Sequence, residues 1–249
     1  GVINSNEAFY DVEIAGTVTN SALLDVDRDL TITSGTLTLG AGLDVERDVI
    51  LNGGTLDVSE SNYGISVGRS WTDTGAGSFN ERAGLVTFDG TGNINSNEGF
   101  YDIDINTAGT ITLSNTLLLT NDLSLTAGTL SLNTYALTAD DYSQTNGTFN
   151  GSSNSISFDE FSVTNGSFSS TTGTLNVGNT FNIAASTFTH NSGTVKFNGS
   201  TNSYTITTNN NSLGNVEFYA TGLAADKVLT LADSFSVSGN VTAKNEADT

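Results

Sequence analysis

Apolar residues run along this chain as short alternating pairs, each pair cut off by Gly, Asn, Ser or Thr. Nowhere do they recur for long at i, i+3, i+4 and i+7. The pattern therefore predicts short strands joined by turns, and no amphipathic helix. A second period overlies the alternation. LTITSGTLTL (30–39) returns as VILNGGTLDV (49–58), LSLTAGTLSL (123–132), YSQTNGTFNG (142–151), FSVTNGSFSS (161–170) and FNIAASTFTH (181–190), with neighbouring copies 19 or 20 residues apart within each run. WTDTGAGSFN (71–80) fits with one residue inserted before its Gly, and INSNEAFYDVEI (3–14) is echoed at 94–105 as INSNEGFYDIDI.

One copy cannot bury its own apolar face, so a short exact repeat predicts coils stacked on one another. The expected fold is all-β, a parallel β-helix (β-solenoid) of roughly 19-residue, three-strand coils. In one traced coil, Leu37 and Leu39, Leu43 and Val45, and Val49 and Leu51 point inward, with turns at Gly40–Gly42, Glu46–Asp48 and Asn52–Gly54. Stacking then aligns Leu30, Val49, Trp71, Leu123, Tyr142, Phe161 and Phe181 in one file. Leu37, Leu56, Phe79, Leu130, Phe149, Phe168 and Phe188 form a second. Gly35, Gly54, Gly128, Gly147 and Gly166 share the last corner, where positive φ or close approach of the next coil favours glycine. Gln144 and Asp73 fall at inward positions and do not fit an apolar column. At ~4.8 Å per coil the chain would make roughly thirteen coils and a single elongated domain over 1–249, about 60 Å long. Tandem antiparallel β-sandwiches are the alternative, with GSFNERAGLVTF (77–88) as a hairpin.

The 249 residues contain no proline, as expected where each strand is hydrogen-bonded on both sides. Seven basic against 27 acidic residues give a net charge of −20, which removes the electrostatic basis for binding nucleic acid or an anionic membrane. No apolar run approaches the ~20 residues of a membrane helix, so no membrane insertion is expected. Without cysteine there is no disulfide and no thiolate metal site. The absence of Met means Gly1 is not a translation start, and points to a processed chain or a piece of a longer one.

Three patterns carry candidate chemistry. LDVDRDL (24–30) over LDVERDV (43–49) stacks Asp25 on Asp44, Asp27 on Glu46, Arg28 on Arg47 and Asp29 on Asp48, with Arg69 continuing the basic file. Like charges one coil apart repel, so water, the interleaved arginines or a bound cation must offset them. Asp25, Asp27, Asp44 and Glu46 are the candidate calcium ligands, set against a solvated charged corner. Acidic residues also precede the first inward position of many coils, at Asp29, Asp48, Asp122, Asp141 and Glu160, and read as corner residues accepting backbone N–H bonds. Finally, Thr31, Thr33, Thr72, Thr74, Ser124, Thr126, Ser143, Thr145, Ser162 and Thr164 flank the inward residues of one strand, interrupted by Ile50 with Asn52 and by Asn182 with Ala184. Such a face could bind ice or a glycan, or be an ordinary solvent-facing sheet.

An enzyme is not expected. His190 is the one histidine, placed in Thr189–Gly193, which reads as an exposed turn, so a serine triad has no evident base. The acidic group beside Arg28 or Arg47 has the composition of a calcium-dependent polysaccharide lyase site, but its members arise by repetition, whereas catalysis needs one unique place. Sequons at Asn146, Asn150, Asn165, Asn198, Asn210 and Asn240 are expected by chance in a chain this rich in Asn, Ser and Thr.

With the 19-residue register and the Gly-[Thr/Ser]-[Leu/Phe] corners, the chain resembles the repeat regions of filamentous-haemagglutinin-type adhesins and other repetitive β-solenoid bacterial surface proteins. The resemblance spans most of the chain. It implies a right-handed coil, an extracellular or cell-surface location and a structural or adhesive role, and it transfers no functional residue. Val2–Ile3 opens directly into the repeat and only Lys244 to Asp248 look cap-like, so the expected partners are copies of itself end to end, or the rest of a longer repeat protein. Ice or glycans are the alternatives, and no cofactor is expected apart from calcium.

Overall fold

The computed structural model describes all residues except 6, 74, 200–202, 221–227 and 246–249. The described residues contain no helix. Their strands pair in parallel and stack as a β-solenoid of about 11 turns spaced about 19 residues apart. The chain divides into two compact units, Gly1–Asn121 and Asp122–Thr249.

In the first unit three files of strands build the core. Leu30–Ile32 lies on Val12–Ile14, Val49–Leu51 on Leu30–Ile32, and Trp71–Asp73 on Val49–Leu51. A second file runs Leu24, Leu43, Ile65, Val86 and Ile103, and a third runs Val18, Leu37, Leu56 and Phe79. Except for Val18, these residues are buried. In the second unit the files are Leu123, Tyr142, Phe161, Phe181 and Ile206; Leu130, Phe149, Phe168 and Phe188; and Leu137, Ile156, Leu175, Val195 and Val216. Both expected files thus hold within each unit, residue for residue. Ser78–Asn80 pairs in parallel with Thr55–Asp57, and Leu85–Phe88 with two other parallel strands, so 77–88 is no hairpin and the sandwich alternative is excluded.

The turn count falls below thirteen because several coils carry longer loops. Val49 stacks on Trp71, and Ile206 on Leu231, at separations well above nineteen. Between Val49 and Trp71 the extra residues lie in the turn at 59–62 and both ends of the step stay buried, whereas Leu231 is 52% exposed. The echoed segment also has a structural counterpart: both copies lead into unusually long strands, Val12–Asn20 and Asp102–Leu113.

Burial of about fifty apolar side chains removes the largest share of surface from water, at ~25 cal/mol per Å². Aromatic rings add directional packing in the second unit, where Phe149 and Phe168 stack at 4.3 Å and Phe168 and Phe188 at 5.7 Å. In the first unit Trp71 meets Phe79 and Phe100 edge to face, at 4.7 and 5.1 Å.

The two inward polar residues keep the register of their files, Gln144 between Leu125 and Val163 and Asp73 on Leu51. Gln144 accepts a bond from the Tyr142 hydroxyl at 3.0 Å and donates to the carbonyls of Gly147 and Ser167 at 3.0 and 3.1 Å. Asp73 accepts from the N–H of Gly75 at 2.9 Å and of Asn97 at 3.4 Å. Each side chain is thereby tied to backbone groups of neighbouring corners, so neither inward polar group lacks a partner. Asn20 does the same, donating to Ala22, Ala41 and Gly42 carbonyls and accepting from the Gly40 N–H.

Gly147 shows why the repeated corner selects glycine: its φ is 80°, and a Cβ there would overlap the Gly128 carbonyl of the preceding coil. Gly54, expected in the same role, has no positive φ. It is glycine because a Cβ would sit 2.9 Å from the Gly35 carbonyl oxygen.

Candidate functional site

The charged corner of the first unit is a ladder. The N–H of Asp29 donates to the Asp11 carboxylate at 3.3 Å, that of Asp48 to Asp29 at 3.3 Å and that of Ser70 to Asp48 at 3.1 Å. Each carboxylate therefore serves the same register position one coil on, rather than the following residues of its own turn. The second unit repeats the device where Glu160 N–H donates to Asp141 at 3.0 Å. The arginines are stacked by backbone bonds, Arg47 on Arg28 and Arg69 on Arg47. Their guanidiniums reach back to the carboxylate ladder, with Arg28 3.5 Å from Asp11, Arg47 3.7 Å from Asp29 and Arg69 3.6 Å from Asp48. These cations offset the Asp11, Asp29 and Asp48 charges, and their position assigns Arg28 and Arg47 a structural task.

The four candidate calcium ligands lie one step along the coil. Asp25 stacks directly on Asp44, and Ser66 follows. Asp27 and Glu46 are exposed at the adjoining turn. The four do not draw together. Among the described residues the three carboxylates that converge are Asp140, Asp141 and Asp159, whose oxygens all lie within 4.8 Å of one another. Burial raises the Asp141 and Asp159 carboxyls above the ordinary value, and the charge of Asp140 adds to both. Spacing in the sequence concealed this group, because Asp159 belongs to the coil after Asp140.

The hydroxyl residues divide between the units, and Thr74 lies outside the described residues. In the first unit Thr31 and Thr72 flank Ile50, while Thr33 bonds to Glu13 and to the Ile14 carbonyl at 3.2 Å each. Thr31 and Thr33 also line a 390 Å³ cleft beside Arg28 and Glu13. In the second unit Ser124, Ser143 and Ser162 stack in register. Ser124 and Ser143 bond to each other at 3.1 Å, Ser162 accepts from Asn182 at 3.3 Å, and Thr164 donates to the Gln144 carbonyl at 3.1 Å. Thr126 and Thr145 are exposed beside them. Several of these hydroxyls thus spend their bonds on neighbouring coils.

His190 occupies a turn, as expected, but is half-buried; its Nδ1 accepts from the Ser192 N–H at 2.9 Å and its Nε2 lies 3.4 Å from the Ser238 hydroxyl.

A further surface feature was not read from the sequence. The residues just before the second inward file are Leu23, Gly42, Gly64 and Leu85, so two missing side chains open a notch between two leucines. Leu23 is 51% exposed and Leu85 42%. Asp44, Ser66 and Thr87 line one side of this 260 Å³ cleft. The Ser66 hydroxyl donates to Asp89 at 2.6 Å, which draws that carboxylate toward the rim. Among the described residues no ion pair involves Asp44; burial, followed by the charges of Glu46, Asp89 and Asp25, holds its carboxyl above the ordinary value.

No known protein family, curated protein or solved structure matches the chain. No helix of the described residues is long and apolar enough to cross a membrane.

Proposed function

We propose that this chain is a non-enzymatic structural segment of a β-solenoid displayed on a cell surface or built into an extracellular filament, where it acts as a scaffold or adhesive stalk. The observation that carries this reading is the side-chain ladder: carboxylates accept from the same register position of the next coil, aromatic rings stack on it, and arginines reach back to the carboxylate of the coil before. Such repetition spreads the polar groups along a unit and gives each a supporting task. An active site instead concentrates unlike groups on one reacting atom. The likeness of the corners to repetitive bacterial surface proteins points the same way.

Display of the chain on a non-adherent bacterium tests the reading. Gain of attachment to host cells or to neighbouring bacteria, unchanged in Arg47→Ala, is the expected result. No gain in attachment, together with release of unsaturated sugar from an acidic polysaccharide that Arg47→Ala abolishes, would replace it with the lyase.

A further inference from the structure

We propose that the Leu23–Leu85 notch is a binding site for a basic peptide, accepting the side chain of a lysine or arginine. The inference goes beyond the scaffold reading and does not depend on it. Two features of the cleft select this occupant. Its long walls are exposed leucines, and its floor is the backbone of Gly42 and Gly64. The two leucines stand three coil steps apart, ~14 Å at ~4.8 Å per step, with the glycine backbone between them, which leaves room for an extended aliphatic stem to lie along it.

The second feature is charge. Asp44 lines the cleft, and Asp25, Glu46 and Asp89 are close enough to raise its carboxyl. No ion pair among the described residues uses any of these four, because Arg28, Arg47 and Arg69 face the Asp11–Asp29–Asp48 ladder instead. A lysine or arginine laid over the glycines would cover both leucines with its methylenes and bring its charge to Asp44. An anionic or purely apolar ligand would leave those carboxylates uncompensated.

Glycine at position 64 makes the test clean. A Cβ added there meets nothing closer than the Leu85 carbonyl oxygen at 3.8 Å, so Gly64→Leu fills the notch without displacing backbone. The probe is a fluorescein-labelled hexapeptide of alternating lysine and serine, titrated into the full chain at low salt, with amide NMR shifts locating it. Expected are saturable binding, shifts centred on Gly42 and Gly64, and affinity lost about tenfold in Gly64→Leu and about threefold in Asp44→Asn. Glu98→Gln, an exposed site elsewhere in the unit that removes the same charge, should leave affinity unchanged. Equal losses in Glu98→Gln and Asp44→Asn would mean diffuse attraction and overturn the site, as would undiminished binding in Gly64→Leu. If Gly64→Leu fails to fold, Leu85→Ser at the exposed wall decides: retained affinity overturns the proposal. Shifts at the same amides from calcium or from a neutral oligosaccharide, with none from the peptide, would also overturn it.

Discussion

The hydroxyl of Tyr142 donates to Oε1 of Gln144 at 3.0 Å inside the aromatic column, and both side chains are buried. The bond is what permits a polar pair at positions held by Leu, Phe, Val and Ile in other coils of the unit. Burial without a nearby charge holds the Tyr142 phenol well above its ordinary pKa, so it remains a donor throughout the neutral range. Gln144→Leu leaves that hydroxyl without an acceptor, and a loss of about 2 kcal/mol is expected in urea unfolding. Adding Tyr142→Phe should restore about half of it, since removing both partners leaves no buried polar group unpaired.

Gly147→Ala forces a side chain into positive φ and onto the Gly128 carbonyl. The expected cost is about 2–4 kcal/mol, the sum of backbone strain and overlap that stacked coils cannot relieve. Gly16→Ala is the control, because a Cβ there meets nothing within 4 Å, and it should be neutral or slightly stabilising. A common midpoint for the two variants in chemical denaturation would refute this account of the corner.

Trp71 carries a buried indole N–H with no hydrogen-bond partner among the described residues. Trp71→Phe keeps an aromatic ring against Phe79 and Phe100 and removes the unpaired donor, so its thermal midpoint should lie within a few degrees of the parent. Trp71→Ala, by contrast, should cost about 3–5 kcal/mol.

Stability should pass through a maximum at mildly acid pH. Asp44, Asp141 and Asp159 have raised carboxyl pKa values, chiefly from burial. Their contribution is fully present below the unfolded carboxylate value of about 3.9 and is lost as pH rises through their folded values. Asp57 is the opposite case. A bidentate bond from Arg82, at 2.7 and 3.0 Å, holds it below the ordinary value, so its contribution is present above about 3.9 and lost as pH falls through its folded value. Melting temperature should therefore rise as pH falls from neutral toward the ordinary carboxylate value of about 3.9, and fall below it. Asp44→Asn should flatten the first limb and Arg82→Gln the second; calorimetry across pH checks both.

Much of the core was legible because a β-solenoid turns sequence spacing into spatial contact. Leu30, Val49 and Trp71 share a file, as do Tyr142, Phe161 and Phe181, since parallel pairing one coil apart brings equivalent positions together. The candidate site was less legible. Leu23, Gly42, Gly64 and Leu85 each precede an aligned pair, so their column was open to inspection, but only exposure of the two leucines identifies it as a notch. The Asp140, Asp141 and Asp159 group was missed for a related reason: convergence depends on which way side chains leave a corner.

The order of apolar and polar residues, repeated at a fixed interval, by itself determined that parallel strands would stack and which side chains would face inward. Each coil can hide its apolar face only against a copy of itself, and that requirement admits one register. The tertiary structure decided what happens at the corners. There, loops of unequal length set which carboxylate receives an N–H from the next coil, which glycine needs positive φ and which cation reaches which anion. Those choices turn on distances of a few tenths of an ångström and on side-chain direction, and neither is encoded in periodicity.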